Sequence, residues 1–413
     1  MITNEATRLF ISQHANDNVR TLALSAHGKP DIDLPFALDQ IAGRQTARRK
    51  LPSWYGIDGI VFPPHLSMEQ CSSEATALYK QSLVERLLCR DAGSASFVDL
   101  TGGFGVDFSF LASRFGKAIY VERQQRLCDI TTHNFKLLGL TQAEVVCGEA
   151  ESWLKSMPSV DLVYLDPARR DNQGARTFAI ADCTPDVVSL KSLLLEKADN
   201  VMIKLSPMLD WRKAVADLGT ANVSQVHIVS VDNECKELLV IMSGRQTDEV
   251  EVCCVNILTT NQTQASTTSE PSPQQHYLYE PNASIMKAGC YALVEERYAI
   301  AQIAPNSHLF VADALVDDFP GRVFAVERVA TMNKRELRTT LEGISRANIA
   351  VRNFPMTAVE LGKRLKLKEG GEWYLYATTD SEGKHRLYFC RKVVQKAEKS
   401  SKNRQIFLFS QHL

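Results

Sequence analysis

The length, composition and charge of this chain exclude several broad classes of protein. Its 413 residues are enough for two to four domains, and a hydrophobic content of 45% argues against a disordered chain. The formal net charge of −1 gives no global attraction to nucleic acid, so any such attraction must be local. Ten cysteines occur without a Cys-x-x-Cys pair, which argues against a zinc site and a disulfide framework, and we expect no metal.

From the N-terminal residues we expect no targeting signal. The stretch Met1–Glu5 lacks the basic and apolar regions of a signal peptide, and no apolar run is long enough to span a bilayer. We therefore expect a reduced, cytoplasmic protein with no membrane partner. Residues 1–90 are mostly helix-like. A basic cluster in this region comprises Arg44, Arg48, Arg49 and Lys50.

A polar segment precedes the first predicted strand. The residues from Ser67 to Lys80 predict one helix, with Ser67 or Ser72 as its N-cap. Gln70, Ser72 and Ser73 can also hydrogen-bond the carboxylate or amine of an amino-acid-like ligand. The two interpretations, capping and ligand binding, stay open.

A glycine-rich loop follows that strand. The apolar run ends at Asp99 and continues as Asp-x-Thr-Gly-Gly-x-Gly, which places Thr101, Gly103 and Gly105 in the loop before a helix-forming segment. Glycines at such a junction let the backbone approach a ligand where a β-carbon would clash. A second short strand ends at Glu122, whose carboxylate can accept both hydroxyl protons of a ribose. Together these features predict a nucleoside-cofactor site in a doubly wound α/β domain.

The spacing of the glycines indicates which cofactor binds. The dinucleotide fingerprint has a third glycine at the position of Phe108, which is bulky. The pattern instead resembles motif I of class I S-adenosylmethionine (SAM) methyltransferases, with Thr101 where the first glycine often stands. The resemblance implies SAM as cofactor. It also implies that Glu149, after the third strand, contacts the adenine amino group, while a helix N-cap role is the alternative.

The fourth predicted strand runs into Asp-Pro-Ala-Arg-Arg. An acid at the carboxyl end of a parallel strand, fixed by a following proline, points into the crevice where such folds bind substrates. The motif is similar to the Asp/Asn-Pro-Pro-aromatic motif of amino-methyltransferases, which holds an exocyclic amine, so the resemblance makes Asp166 and Pro167 catalytic. Ala168 and Arg169 replace the second proline and the aromatic residue. The guanidinium of Arg169 can also stack on a base.

Two charged residues interrupt later apolar runs, where a charge is costly unless it is paired or functional. Lys204 lies near the end of the fifth strand, and Glu237 begins the last of two strands that we expect to form a hairpin. With Lys80 and Asp166 they follow the order of the Lys-Asp-Lys-Glu tetrad of ribose 2′-O methyltransferases. In those enzymes a lysine lowers the pKa of the hydroxyl or acts as its base. For Lys80, a solvated position on a helix is the simpler interpretation.

The C-terminal part predicts a small α+β domain after a connector. A stretch from Thr259 to Gln275 is rich in Thr, Gln, Ser and Pro and indicates a loop. A β-α-β-α-β-β pattern follows it. Its strands are Arg322–Val329, Asn348–Phe354, Glu372–Thr379 and His385–Val394, and its helices are Lys334–Leu341 and Ala358–Leu365.

Positive charge is concentrated in this last domain. Between Thr331 and Lys368, nine Lys/Arg residues stand against three Glu, a net of +6. Such a local excess, with interleaved aromatic residues, suits a phosphate backbone and bases, and RNA is the expected partner. A solvated helix face is the alternative.

In combination, four stretches resemble a bacterial family of class I methyltransferases with a THUMP-like C-terminal domain. They are Glu69–Glu74, Asp99–Asp107, Asp166–Arg170 and Lys204–Asp210. The resulting fold class is α/β, a doubly wound, Rossmann-like seven-stranded sheet with an N-terminal helical region and a C-terminal α+β domain. The expected divisions are a helical region (1–90), a SAM-binding domain (91–245), a connector with a small domain (246–320) and a THUMP-like domain (321–413).

The sequence therefore predicts a SAM-dependent methyltransferase that acts on a structured RNA, tRNA or rRNA, at a base nitrogen. Two alternatives stay open: a ribose 2′-O methyltransferase, and a non-catalytic SAM-fold module that binds RNA. A carbon-5 target would need a cysteine nucleophile, for which Cys183 is the only nearby candidate. The sequence gives no indication of the oligomeric state.

Overall fold

A computed structural model describes residues 3–25, 31–88, 92–169, 180–259, 276–393 and 404–411. Within it the chain divides into two units. Unit 1 comprises residues 1–227, 237–252 and 410–413, and unit 2 comprises residues 228–236 and 253–409. No helix in the described ranges is both long and apolar enough to cross a membrane.

Unit 1 begins with helices that pack beside the glycine-rich loop. They are α1 (Glu5–Gln13), α2 (Val19–Ser25), α3 (Leu34–Lys50), α4 (Pro52–Tyr55), α5 (His65–Gln70) and α6 (Glu74–Leu87). The buried ring of Trp54 meets that of Phe104 edge to face at 5.1 Å between centroids, and both belong to one apolar cluster. The N-terminal helices therefore help to fix the loop in place.

The expected single helix from Ser67 to Lys80 is wrong. The structure has two helices here, α5 and α6, separated at residues 71–73. The cap of α6 is Ser73, whose side chain accepts from the backbone N–H of Thr76, and neither Ser67 nor Ser72 caps a helix. At the end of α5 the Lys50 ammonium donates to the carbonyls of Met68 and Glu69, which the helix itself leaves without partners.

The seven expected strands of the cofactor domain are present. They are β1 (Ser96–Asp99), β2 (Lys117–Glu122), β3 (Ala143–Cys147), β4 (Val160–Leu165), β5 (Ala198–Leu205), β6 (Val223–Val231) and β7 (Glu234–Ser243). They lie in the order β3-β2-β1-β4-β5-β7-β6. Strands β1 to β5 are parallel and β7 is antiparallel to β5. The doubly wound prediction is confirmed, and its switch point lies between β1 and β4.

Helices separate these strands along the chain. They are α7 (Val106–Ala112), α8 (Gln125–Leu137), α9 (Ala150–Ser156), α10 (Val187–Lys197) and α11 (Trp211–Leu218). Every residue of β4 is buried, as expected for a central strand covered on both faces. The β6–β7 hairpin is also present, and its two-residue turn, Asp232-Asn233, is tighter than expected because both residues adopt positive φ.

Unit 2 contains the second sheet. The strands after β7 are β8 (Val250–Ile257), β9 (Tyr277–Pro281), β10 (Ala301–Gln302), β11 (Phe310–Ala312), β12 (Gly321–Ala330), β13 (Asn348–Arg352), β14 (Trp373–Thr379), β15 (His385–Val393) and β16 (Arg404–Gln411). Seven of them form the second sheet, in the order β10-β11-β9-β12-β15-β14-β13. The other two, β8 and β16, follow β6 in the first sheet, which therefore has nine strands rather than the expected seven. The helices are α12 (Ala283–Ala288), α13 (Tyr291–Tyr298), α14 (Lys334–Thr340) and α15 (Ala358–Leu365).

The expected β-α-β-α-β-β pattern corresponds to β12, α14, β13, α15, β14 and β15. Leu337 of α14 and Leu361 of α15 pack with Leu375 and Phe389 of the sheet in one apolar cluster. Most of the expected connector, residues 260–275, lies outside the described residues.

Candidate active site

Packing requires two of the glycines in the loop after β1. A β-carbon on Gly102 would lie 2.1 Å from the ring of Tyr120, and one on Gly105 would lie 2.8 Å from the ring of Phe135. Gly105 also has φ +80°, in the left-handed region that favours glycine. Gly102 was not among the predicted site residues, although the Gly-Gly pair was the available signal.

Gly103 lies in different surroundings. Among the described residues, a β-carbon there would meet only the carbonyl oxygen of Thr101, at 3.8 Å, although φ is +55°. The N–H of Gly103 donates to Oε2 of Glu122 at 2.9 Å, and Oε1 accepts from the backbone of Gln124 at 2.8 Å. A carboxylate has about four acceptor positions, so Glu122 keeps capacity for ligand hydroxyls. The open side of the loop and the nearby acid fit a nucleoside.

Phe108 takes the position of the third glycine in the dinucleotide fingerprint. Its ring is fully buried and stacks on Phe97 and Phe135, with centroids 5.6 and 4.9 Å apart. A ring at this place is incompatible with the close helix–strand approach that the fingerprint's glycine permits.

Thr101 connects the carboxyl ends of β1 and β4. The buried Asp99 accepts the Thr101 N–H at 2.9 Å, and burial raises the pKa of Asp99 well above its ordinary value. The hydroxyl of Thr101 in turn accepts the backbone N–H of Asp166 at 2.6 Å. A threonine in place of the first motif glycine thus holds the backbone of the acid predicted to be catalytic.

Asp166 and Lys204 form an ion pair at this edge of the sheet. Their charged atoms are 2.6 Å apart, and the Asp166 side chain is 39% exposed against 13% for Lys204. Burial opposes the charge on Lys204, but Asp166 and Asp107 outweigh it and hold the Lys204 pKa above its ordinary value. Lys204 is therefore a fixed cation rather than a ready proton acceptor.

Sequence analysis did not identify Asp107, at the start of α7, as a site residue. Its Oδ2 accepts from Ser72 at 2.6 Å and from the Tyr164 hydroxyl at 2.7 Å. The Lys80 ammonium lies 3.2 Å from Oδ1, and that of Lys204 lies 4.0 Å from Oδ2. Burial favours the neutral acid, but the two lysines outweigh it and lower the Asp107 pKa.

Lys80 is fully buried, so the interpretation of a solvated helix residue is wrong. Its ammonium donates to both carboxylate oxygens of Glu237, at 2.6 and 2.8 Å. Burial raises the pKa of Glu237 despite Lys80, yet two contacts this short indicate an ion pair. Glu237, Lys80, Asp107, Lys204 and Asp166 thus form an alternating charge chain that becomes more exposed towards Asp166.

The remaining predicted site residues are more scattered. The Ser72 hydroxyl proton is already used on Asp107, and Gln70 is exposed at the end of α5. Glu149 is exposed at the N-cap position of α9, but its side chain does not cap the helix. Pro167 is buried, and the side chain of Arg169 lies outside the described part of the structure.

Two cysteines near the site are candidates for a nucleophile. Cys183 is buried. It is not the only nearby candidate, because Cys71 lies close enough to Lys204 and Asp107 for their charges to act on its thiol. Burial nevertheless raises the pKa of Cys71 to about 11. A thiol that resists ionisation is a poor nucleophile, which disfavours carbon-5 chemistry.

Comparisons with known proteins place the chain in a family. One family model, a ferredoxin-like domain, matches residues 277–320, and another, a THUMP-like domain, matches residues 321–392. A crystal structure of a candidate methyltransferase from Porphyromonas gingivalis W83 is 31% identical, with a TM-score of 0.79 over 95% of this chain and 100% of that one. The chain belongs to the class I SAM-dependent methyltransferase family with a THUMP-like C-terminal domain.

Two more distantly similar structures each match less than half of this chain. An rRNA methylase from Streptococcus thermophilus is 15% identical, with a TM-score of 0.32 over 41% of this chain and 96% of that one. A candidate methyltransferase from Streptococcus mutans, in complex with S-adenosylhomocysteine, is 14% identical, with a TM-score of 0.31 over 41% and 97%. No curated protein sequence matches significantly.

Proposed function

We propose that this chain is a cytoplasmic enzyme that transfers the methyl group of SAM to a base nitrogen of a structured RNA, a tRNA or an rRNA. The observation that carries the proposal is the Asp166–Lys204 pair at the carboxyl ends of β4 and β5. Asp166 is the most exposed member of the alternating charge chain, and Thr101 and Lys204 hold its backbone and its carboxylate.

The residues around the glycine loop fit SAM. Gly103 and Gly105 would let the loop approach the cofactor, Glu122 would accept from the ribose hydroxyls, and Glu149 would accept from the adenine amino group. Asp99 and Thr101 shape this loop, and Gln70 and Ser72 are the candidates at the methionine end. SAM supplies a methyl group on a positively charged sulfur, so the protein has mainly to position the nucleophile and stabilise charge.

The charges at the site favour a nitrogen nucleophile. An amine or ring nitrogen becomes more positive as it attacks the methyl group, and the carboxylate of Asp166 can stabilise that charge and accept an N–H. A ribose hydroxyl must lose its proton to a base, whereas Lys204 is held protonated by Asp166 and Asp107. Pro167 would fix the direction of the loop, and Arg169 would stack on the base in place of the missing aromatic residue.

Ribose 2′-O methylation is the second candidate, and one observation favours it. The four members of the Lys-Asp-Lys-Glu pattern, Lys80, Asp166, Lys204 and Glu237, lie in one cluster, with a contact of 2.6 Å in each lysine–carboxylate pair. A protonated Lys204 would stabilise a developing alkoxide even though it cannot act as the base.

RNA as the substrate is supported by unit 2. The residues that match a THUMP-like domain include helices α14 and α15, whose basic residues are exposed. These residues are Lys334, Arg335, Arg338, Lys363 and Arg364. Exposed cations on neighbouring segments suit a phosphate backbone.

Incubation with methyl-labelled SAM tests the proposal against its rivals. The purified protein is mixed with separate RNA, protein and small-molecule fractions from cells that lack it. We expect label in RNA with the unaltered protein and none with Asp166→Asn, which should bind SAM as before. Label in protein or small molecules alone would contradict the RNA proposal. SAM binding without label in any fraction would favour the non-catalytic RNA-binding module, and binding of NAD in place of SAM would refute the cofactor.

A further inference from the structure

We propose that Asp107 determines cofactor selectivity: its negative charge makes the site prefer the cationic sulfonium of SAM over the neutral thioether of S-adenosylhomocysteine. The inference rests on the proposed function, because it requires that SAM binds beside the glycine loop. It gives a distinct role to a residue that does not itself reach the exposed edge of the site.

The hydrogen bonds of the Asp107 carboxylate all reach one of its two oxygens. Its side chain is 9% exposed, and Oδ2 receives the two hydroxyl hydrogen bonds, from Ser72 and Tyr164. Oδ1 is buried and has no aligned hydrogen-bond donor among the described residues, although the Lys80 ammonium lies 3.2 Å away. An ionised oxygen with incomplete hydrogen bonding is costly, and a nearby cation reduces that cost.

Asp107 is also the one carboxylate of the alternating charge chain without a lysine at ion-pair distance of 2.6 Å. Lys80 pairs with Glu237 at 2.6 Å, and Lys204 pairs with Asp166 at 2.6 Å. Each lysine already has a carboxylate of its own, so Asp107 adds one negative charge. Asp99 adds little, since burial raises its pKa well above the ordinary value. The Asp107 pKa, by contrast, is lowered by Lys80 and Lys204 against the effect of burial, so this carboxyl is ionised at neutral pH.

An unbalanced buried charge acts on a ligand more strongly than one in water, because the local dielectric constant is low. The positive charge of SAM would be attracted by it. The product has lost that charge with the methyl group and would gain nothing. The same carboxylate would therefore favour binding of the cofactor and release of the product.

Calorimetric titration of the full chain with three ligands tests the inference. The ligands are SAM, S-adenosylhomocysteine and sinefungin, an analogue with an ammonium group in place of the sulfonium. For Asp107→Asn we expect the affinities for SAM and sinefungin to fall about tenfold, which corresponds to about 1.4 kcal/mol. The affinity for S-adenosylhomocysteine should stay within about twofold of the unaltered protein, since a neutral ligand lacks the Coulomb interaction.

Two further variants separate charge from structure. Tyr164→Phe removes a hydrogen bond to Asp107 but keeps its charge, so the ratio of SAM to S-adenosylhomocysteine affinity should not change. Lys204→Gln removes a positive charge, so the ratio should rise. That opposite shift keeps the inference testable if Asp107→Asn does not fold.

The outcomes distinguish this inference from the proposed function. Equal losses for all three ligands in Asp107→Asn, or an unchanged ratio in Lys204→Gln, would overturn the charge role and leave SAM binding intact. If the unaltered protein binds neither SAM nor S-adenosylhomocysteine, the proposed function itself is overturned, and the inference with it.

Discussion

Gly102 and Gly103 are neighbours in the sequence but have different requirements. A β-carbon on Gly102 would overlap the buried ring of Tyr120 at 2.1 Å. A β-carbon on Gly103 would have no close neighbour among the described residues, so only the left-handed φ of +55° opposes a side chain there. The first glycine is therefore required by packing, and we propose that the second faces the cofactor.

Alanine at each position should separate these two roles. Gly103→Ala should destabilise the protein by about 1–2 kcal/mol, because of its left-handed backbone, and should weaken SAM binding at least tenfold. Gly102→Ala should lower the melting temperature much more, and Gly244→Ala, where a β-carbon meets nothing within 4 Å, should change neither property. Thermal melts and SAM titration measure both effects. Unaltered SAM affinity in Gly103→Ala would mean that the cofactor does not lie over this loop.

Sequence reasoning identified charged site residues where they interrupt strands, but not where they lie on helices. Asp166 and Lys204 stand at the ends of apolar runs, so their type and position were informative. Lys80 was misjudged: Thr76 and Val84, its neighbours at helical spacing, are buried, so Lys80 lies on the inner face of α6. Asp107 was missed because a first-turn acid usually needs no explanation beyond the helix dipole.

At the scale of elements, the start of α6 depends on one serine. Ser73 accepts from the Thr76 N–H, whereas Ser67, one of the two caps expected from the sequence, lies inside α5. Ser73→Ala should lower the free energy of unfolding by about 1 kcal/mol, the usual value of such a cap. Ser67→Ala should change it by less than about 0.5 kcal/mol, as surface substitutions usually do. Denaturant unfolding measures the free energy of unfolding of both variants. Equal losses in the two would contradict the assignment of Ser73 as the cap.

The contact between α6 and β6 predicts a pH dependence of stability. The Tyr79 hydroxyl is 2.8 Å from Nδ1 of the buried His227, and burial, with the charge of Arg86, lowers the His227 pKa from 6.5 to about 3. Below pH 6.5 the unfolded chain binds a proton that the folded one does not. Stability is therefore complete above pH 6.5 and falls as the pH drops towards 3.

Replacing the imidazole should remove part of that dependence. Between pH 7 and 5.5 the unaltered protein should lose about 1.4 kcal/mol more than His227→Gln, since each pH unit below the unfolded pKa contributes that amount. Glutamine can still accept from Tyr79 but cannot be protonated. Chemical unfolding at both pH values measures the difference. Parallel losses in the two proteins would show that His227 titrates normally.

Element positions were largely predictable, and their exact limits were not. Apolar runs that end in glycine or in an acidic residue predicted the strands and the edge of the sheet where their carboxyl ends lie. The break between α5 and α6 was missed, because several serines in this segment are candidate caps and the sequence does not show that Ser73 is the one used. The contact of Lys50 with the end of α5 was equally hidden, because Lys50 lies in a different helix.

At the scale of the whole molecule, we propose that unit 2 supplies RNA affinity and unit 1 supplies chemistry. Replacing the exposed Lys334, Arg335 and Arg338 with alanine should weaken RNA binding and reduce its salt dependence by roughly one unit of slope per lost phosphate contact. SAM affinity should not change. A matched control replaces three exposed lysines of unit 1, Lys117, Lys136 and Lys155.

Filter binding at several salt concentrations compares the two triple variants. If both lose affinity equally, net charge rather than the face of α14 attracts RNA. If neither loses affinity, α14 is only a solvated surface. Substrate selection would then fall to the basic cluster of α3, of which Lys50 is already used to hold α5.

The sequence could not predict which atom of the substrate accepts the methyl group. The Asp-Pro motif indicates a nitrogen and the Lys-Asp-Lys-Glu order indicates a ribose oxygen, and both patterns use Asp166 and Lys204. Only the arrangement of charges bears on the choice, because it holds Lys204 protonated.

Nucleoside mass spectrometry of RNA from a deletion strain tests the central claim most directly. The strain is compared with its parent and with deletion strains that carry either the unaltered gene or Asp166→Asn. We predict that one base-methylated nucleoside is lost, that the unaltered gene restores it, and that Asp166→Asn does not. Loss of a 2′-O-methyl nucleoside instead, or an RNA methylation pattern identical to that of the parent, would contradict the account.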